Sequence, residues 1–348
     1  MCRSEGDTII QLQEALRCSP NDPDAYYNLA QALARQSRRD EAILCCRQAL
    51  SLNPELADAH KLLGDVLRQC SNVRGTALDE AASSYRSAIR IRPADAEAHK
   101  KLGSTLKAMG LLDEAFAAFR RACKLHPESA QHHSSLVYSL HFHPGYDAEA
   151  LAQEHERWNR RHAEPLAKLI RPHPNDPDPK RRLRIGYVSQ YFQNHPVGRF
   201  LLPLLEAHDH GGFEIFCYAS FTRPDDLTAR LRTHADHWCH TEGWTDEKLA
   251  DVIRQDRIDV LVDLDMHMFG NRLLTFARKP APVQVTYLAY CSTTGLRAMD
   301  YRLTDPFLDP PGQPTCYAEE SVWLPETYWC YRPPVELPPP GPPPAAAS

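Results

Sequence analysis

Residues 96–129 read AEAHKKLGSTLKAMGLLDEAFAAFRRACKLHPES, and this stretch decides the first part of the fold. Its apolar template is Leu102-Gly103, Ala115, Phe119 and Ala122, closing on Pro127. The same template stands upstream as Leu63-Gly64, Ala81, Tyr85 and Ala88 before Pro93, and as Leu29-Ala30, Ala42, Cys46 and Ala49 before Pro54. With Pro20 the prolines are 34, 39 and 34 residues apart. A fixed period in the thirties means a stack of small units, not one globular core.

The pattern resembles the tetratricopeptide repeat, a helix–turn–helix unit whose stacks present a concave surface to another protein. Small Ala and Gly positions let the two helices of a unit approach, and the large apolar positions fill the space between units. Residues 1–22 read as the second helix of a partial repeat, with Leu12, Ala15 and Pro20 at template positions. Full repeats follow at 23–56, 57–95 and 96–129. The second is longer, with the excess around Cys70 to Ala77, where Ser71, Asn72 and Gly75 suit a lengthened turn. Leu136 and Leu140 begin the template again, and His141-Phe142-His143-Pro144-Gly145 stops it, so the solenoid is expected to end on a capping helix at 143.

A helix and proline-rich linker is expected over 144–182. Leu151, His155 and Trp158 share one helical face, and Pro172, Pro174, Pro177 and Pro179 follow. Beyond it the grammar changes. Leu183–Val188, Phe213–Tyr218, Ile258–Leu264, Val283–Leu288 and Tyr301–Thr304 read as strands, with helical stretches such as Asp246–Gln255 between several of them. The near-continuous apolar run at 258–264 is that of a parallel strand buried on both faces. Strand alternating with helix predicts a doubly wound, Rossmann-like α/β domain over 183–332. Eight of the twelve residues from Pro333 to Pro344 are proline, so 333–348 is expected to be an extended tail.

Composition narrows the function classes. The chain has 348 residues, 43% hydrophobic and 24% charged, with net charge −5. It has no basic stripe, which argues against nucleic acid. The one dense basic cluster, Lys180-Arg181-Arg182 with Arg184, reads as a solvated junction before a phosphate grip. The 11 cysteines are scattered, with no CxxC pair, which fits a reducing cytoplasm. Neither a signal-peptide core nor a run of about 18 apolar residues is present, so no membrane is expected.

In doubly wound folds ligands sit beyond the carboxyl ends of the strands. Three segments fall there: Asn194–Gly198, Asp263–His267 with Gly270-Asn271-Arg272, and Tyr290–Gly295. No GxGxxG follows the first strand, which disfavours a nicotinamide or flavin dinucleotide. His195 and His267 are candidates for a general base or a hydroxyl partner; a capping or surface role is the alternative. Ser292-Thr293-Thr294-Gly295 could offer hydroxyls and N–H groups to a phosphate or sugar, or simply make a turn. Asp263, Asp265 and His267 alternate as metal ligands would, and His234, His237 and His240 recur every third residue. Solvated acids and ordinary packing beside Trp238 are the plainer readings, so no metal is expected.

Taken in order, Leu183–Ser189 leading to Asn194-His195-Pro196, then Gly270-Asn271-Arg272-Leu273, Pro280–Leu288, Thr293–Leu296, Met299–Asp305 and Leu324-Pro325-Glu326-Thr327 resemble the protein O-linked N-acetylglucosamine transferases of the bacterial, tetratricopeptide-repeat type. His141-Phe142-His143-Pro144 adds to the likeness. The resemblance implies an α-solenoid followed by the first Rossmann-like half of a two-domain GT-B-type glycosyltransferase. It implies transfer of N-acetylglucosamine from its UDP donor to Ser or Thr of proteins, with inversion and without a metal or other cofactor. It implies a catalytic role for His195, near acceptor hydroxyl and donor sugar, and for His267 in the family's Gly-His-Thr segment. Pro196, Asn271, Thr293, Thr294 and Gly295 fall in substrate-binding segments, and Asn28 holds the place of an asparagine ladder that grips peptide.

The chain also departs from the family. Ala289-Tyr290-Cys291-Ser292 replaces Gly-Tyr-Pro-Gly, Met266 and Met268 flank His267, and Leu62, Lys101 and Ser135 occupy the later ladder places. The family's second half, with most of the UDP contacts, follows a proline-rich join like 333–344. This chain is therefore expected to be a truncated copy, inactive alone, with donor binding weakened. The alternatives are a catalytically silent scaffold that binds protein partners through its repeats, and a metal-dependent hydrolase using Asp263, Asp265 and His267.

Overall fold

The computed structural model describes residues 5–70, 76–221, 223–312 and 316–333. The proline tail past Pro333 and the insertion at 71–75 lie outside the described residues. The chain divides into two compact units, 1–147 and 148–348.

The first unit is helical: α1 (Glu5–Cys18), α2 (Pro23–Arg35), α3 (Arg39–Leu52), α4 (Ala57–Cys70), α5 (Thr76–Ile91), α6 (Ala96–Ala108), α7 (Leu112–Leu125) and α8 (Ala130–Leu140). Helix starts follow from capping: Asp22, Asp95 and Ser129 accept N–H groups of the first turns of α2, α6 and α8. The template alanines Ala42, Ala49, Ala81, Ala88, Ala115 and Ala122 are fully buried. Size is traded across the helix pair. Where the second helix carries Tyr85 or Phe119, the first has Gly64 or Gly103, on which a Cβ would stand 2.7 and 3.0 Å from those rings. Where it carries the smaller Cys46, the first has Ala30.

Charged side chains link successive repeats at separations of 33 to 36 residues: Arg47 to Glu80, Lys61 to Asp95, Arg92 to Asp58, Arg90 to Glu55 and Lys101 to Asp65. Most are exposed and contribute under about 1 kcal/mol each. Their contribution is register, since each fixes one unit against the next.

The second unit opens with α9 (Ala148–Trp158), which runs on as a wide turn to Ala163 and a tight one to Leu169. Then come β1 (Leu183–Ser189), α10 (Pro196–Glu206), β2 (Phe213–Ala219), α11 (Asp226–Thr233), β3 (His237–His240), α12 (Asp246–Gln255), β4 (Val260–Asp263), α13 (Leu273–Phe276), β5 (Val283–Thr286), β6 (Tyr301–Thr304) and β7 (Glu320–Trp323). The seven strands form one sheet, ordered β3-β2-β1-β4-β5-β6-β7, and every neighbouring pair is parallel.

The five expected strands are present, and β3 and β7 join them as the sheet's two edges. Both are short and largely exposed, so they lack the apolar run that marks a buried strand. β4 is shorter than its apolar run because the Asp263 carboxylate accepts the N–H groups of Asp265 and Met266, which turns the chain. β5 stops before Leu288, which takes φ +71°.

The segment expected as a linker is strapped to the sheet. Asn175 and Arg181 both bind Asp259, just ahead of β4. Arg182 pairs with Asp236 and Arg184 with Glu214, so the basic cluster is spent on strand-end carboxylates.

The tightest helix contact gives a test. Tyr85 is fully buried and its hydroxyl donates to Asp65 at 2.7 Å, so the ring cannot swing away from a methyl on Gly64. Overpacking costs ~1–3 kcal/mol, against ~1 kcal/mol gained by Ala over Gly in a helix. Gly64→Ala is therefore expected to lower the melting temperature of residues 1–147; an increase would show that the ring yields.

Candidate functional site

The strand order reverses at β1. The chain passes from β1 to β2 and β3 on one side, then crosses to β4 on the other. A crevice outside the carboxyl ends of β1 and β4 is the general ligand position of such sheets. Loops from β1, β4 and β5 build its rim.

Buried Asp265 ties the first two loops together. It accepts the Ser189 hydroxyl at 2.5 Å and the Gln190 N–H at 2.9 Å. The Phe269 carbonyl accepts the Gln190 amide and, at 3.1 Å, the Tyr191 hydroxyl. Tyr191 in turn stacks on the His195 ring, centroids 4.1 Å apart.

His195 is the N-cap of α10, followed by Pro196 at the first helical position, where its missing N–H costs nothing. The His195 Nδ1 accepts the Val197 N–H at 3.3 Å. In the neutral ring the proton then sits on Nε2, which is a donor. Half-burial lowers the pKa of this imidazole, which favours that neutral form. Asn194 is held too, its N–H by Asp225 and its side chain by Arg199.

The β5 loop is clamped from several sides. His267 is buried and its Nε2 donates to the Thr294 carbonyl at 2.8 Å. Its ring lies edge-on to Trp158 and His155, with centroids 4.8 and 5.1 Å away. Gly295 has φ +67°, and a Cβ there would stand 2.5 Å from the Cβ of His155. Only glycine allows both that backbone and that approach. Glu319 takes the Thr293 and Thr294 hydroxyls and the Thr294 N–H. Buried Arg302 reaches the Ser292 carbonyl at 3.1 Å and pairs with Asp309 at 2.6 Å.

The structure thus separates the residues singled out from sequence. His195 and Pro196 stand at the rim, beside Tyr191 and Phe269. His267, Thr293, Thr294 and Gly295 are brought together, but their polar atoms bind one another and Glu319. Asn271 donates to the Met268 carbonyl and accepts the Leu273 N–H, a turn that starts α13. Asn28 is exposed on α2 in the first unit. At the later ladder places Lys101 is paired with Asp65 at 2.5 Å, and Ser135 donates to the Gln131 carbonyl of its own helix.

The two groups weighed as metal ligands are dispersed. Asp263 and Asp265 bind backbone N–H groups and hydroxyls, while His267 faces Thr294. His237 pairs with Glu214 and His234 lies 3.9 Å from Glu206. Among the described residues no group of three His, Cys, Asp or Glu side chains is arranged to hold a metal ion.

Glu319, Arg302 and Tyr191 were not singled out from sequence. Glu319 lies in Ala318-Glu319-Glu320, where no pattern distinguishes it from a surface acid.

Comparison with known proteins agrees with this architecture. The family model described as glycosyl transferase family 41 matches residues 118–331. Tetratricopeptide-repeat models match 23–56 and 74–130. The chain is 36% identical over 208 residues to the rice protein named probable UDP-N-acetylglucosamine--peptide N-acetylglucosaminyltransferase SPINDLY, covering 58% of this chain and 22% of that protein. It is 35% identical over 150 residues to the UDP-N-acetylglucosamine--peptide N-acetylglucosaminyltransferase of Caenorhabditis elegans, covering 42% of this chain and 13% of that one. Among solved structures, a mutant Thermobaculum terrenum O-GlcNAc transferase superposes with TM-score 0.80 at 38% identity, over 96% of this chain and 61% of that one.

The acids under the rim predict a pH effect. Burial pushes the Asp263 carboxyl up to about 6. Burial, then the charge of Asp263, raises Asp265 well above the usual carboxylate range. A carboxyl raised in the folded state costs stability as pH climbs from its ordinary value of about 4 toward the raised one. In Asp265→Asn the oxygen can still accept the Gln190 N–H and the amide can face Ser189. The melting temperature of this variant minus that of the parent is expected to widen by at least about 2 °C between pH 4 and pH 7. A flat difference would mean that burial does not raise Asp265.

Proposed function

This chain belongs to glycosyl transferase family 41, and from that membership we propose that it transfers N-acetylglucosamine from UDP-N-acetylglucosamine to Ser or Thr hydroxyls of proteins. The chain spans 22% of the rice relative and 61% of the solved neighbour, so the activity is proposed for the protein as a whole. The observation that carries the reading is the rim at the β1–β4 switch point, with His195 set at the start of α10 by Tyr191 and Val197.

In the proposed reaction the acceptor hydroxyl attacks the anomeric carbon of the sugar. The bond from that carbon to the UDP oxygen breaks, the hydroxyl proton passes to the departing diphosphate, and the configuration inverts. His195 serves here as an orienting donor through Nε2–H. As a base at Nε2 it would carry its proton on Nδ1, directly opposed to the Val197 N–H. His267 acts by fixing the Thr294 carbonyl, not by touching substrate. No metal is proposed, because the oxygens of Asp263 and Asp265 already serve N–H and hydroxyl donors.

The tetratricopeptide repeats suggest protein–protein interaction, and protein substrates are proposed to enter through them. Neither nucleic acid nor membrane is a proposed partner. No helix among the described residues is long and apolar enough to cross a membrane. The cytoplasm is the proposed compartment, supported by ten free cysteines among the described residues.

A second reading, a repeat scaffold without catalysis, draws on one observation. The hydroxyls of Thr293 and Thr294 and the N–H groups of Thr294, Gly295 and Leu296 are all bonded internally.

Calorimetric titration with UDP-N-acetylglucosamine separates the two. The transferase reading expects saturable binding below about 1 mM, the upper end of ordinary substrate affinities; no heat at that concentration leaves the scaffold. In a peptide-glycosylation assay, His195→Ala is expected to lower turnover about 10²–10³-fold, as loss of one preorganised donor does, with circular dichroism unchanged. Unaltered turnover would remove His195 from the mechanism.

A further inference from the structure

We propose that Glu319, on the approach to β7, is the positioning residue that sets the Thr293–Gly295 loop for the sugar-nucleotide donor; the inference rests on the transferase reading above. Glu319 is 5% exposed and lies beneath the loop. Its Oε2 accepts the Thr293 hydroxyl at 2.5 Å, and its Oε1 accepts the Thr294 N–H at 2.7 Å and the Thr294 hydroxyl. Three donors from two consecutive residues converge on one carboxylate.

The two hydroxyls relay this hold along the backbone. Thr293 Oγ1 accepts the N–H of Gly295 at 2.9 Å and of Ala318 at 3.1 Å. A hydroxyl oxygen has two lone pairs, so its own proton has no other use than Glu319. Thr294 Oγ1 accepts the Leu296 N–H at 3.1 Å. One side chain therefore orders the backbone from Thr293 to Leu296. The two peptide groups that flank the Thr294 Cα are each pinned, the first through the Thr294 N–H by Glu319 and the second through the Thr294 carbonyl by His267.

Only a side chain with acceptors alone fits this place. Glutamine has the same shape, but its NH₂ would face either Thr293 Oγ1, whose lone pairs are both taken, or the Thr294 donors. Aspartate is one methylene shorter.

The test compares Glu319→Gln with the parent and with Tyr218→Phe. Tyr218 lies on β2, away from this loop, and its hydroxyl donates to Asp256. Two readouts are taken on the full chain: the dissociation constant for UDP-N-acetylglucosamine and hydrogen exchange of peptides covering 289–297. Glu319→Gln is expected to weaken donor binding and to speed exchange in that segment, each by about tenfold or more. Tyr218→Phe is expected to lower the melting temperature without changing donor affinity. Parent-like binding and exchange in Glu319→Gln would overturn the proposal, and so would equal weakening by Tyr218→Phe, which would mark a general loss of stability. If the parent itself fails to bind donor, the transferase reading falls. The exchange comparison still decides whether Glu319 orders the loop.

Discussion

The carboxyl edge of the sheet depends on Asp263, a carboxylate at 1% exposure on the last residue of β4. A chain leaving a buried strand must satisfy its N–H groups without water. Asp263 does this for Asp265 and Met266, and also takes the Thr286 hydroxyl at the end of the neighbouring strand β5. The resulting turn puts Met266 at φ +44° and sends Asp265 back under the β1 loop and His267 toward the β5 loop. One strand end thereby fixes three loops. Burial raises this carboxyl to about 6, and the hydrogen bonds it accepts only partly offset that cost.

The same economy governs the rest of the rim. Asp265 and Glu319 are buried acids that accept backbone N–H groups, and buried Asp309 gathers the side chains of Arg302, Thr304 and Tyr317. The polar side chains beside the crevice mostly hold loops in place. The group set at its mouth is the Tyr191–His195 stack, with Phe269 beside it.

In the repeats, two kinds of contact divide the work. Buried alanines and the Gly64–Tyr85 and Gly103–Phe119 pairs set how closely helices approach. Ion pairs between repeats set the register. Lys101, at a ladder place, is drawn into that second task by Asp65, so it is unlike an asparagine that offers an amide to a peptide backbone.

Much of this protein was legible in the sequence, because the signals were local and periodic. The proline beat and the alanine template fix the solenoid from 23 to 129, and the apolar runs fix β1, β2, β4, β5 and β6. The edge strands β3 and β7 carry no such run, since an edge is solvated and its pattern dissolves. Asn194-His195-Pro196 stands out in the sequence because the cap and the helix start are neighbours there. Tertiary structure alone decided that His267 is buried against Trp158, and that Thr293 and Thr294 turn inward. It alone made Glu319 their partner, because that contact joins residues 25 and 26 apart across the ends of different strands. Hydrogen bonds between distant loops leave no period in the sequence, and only the folded sheet brings their partners within reach.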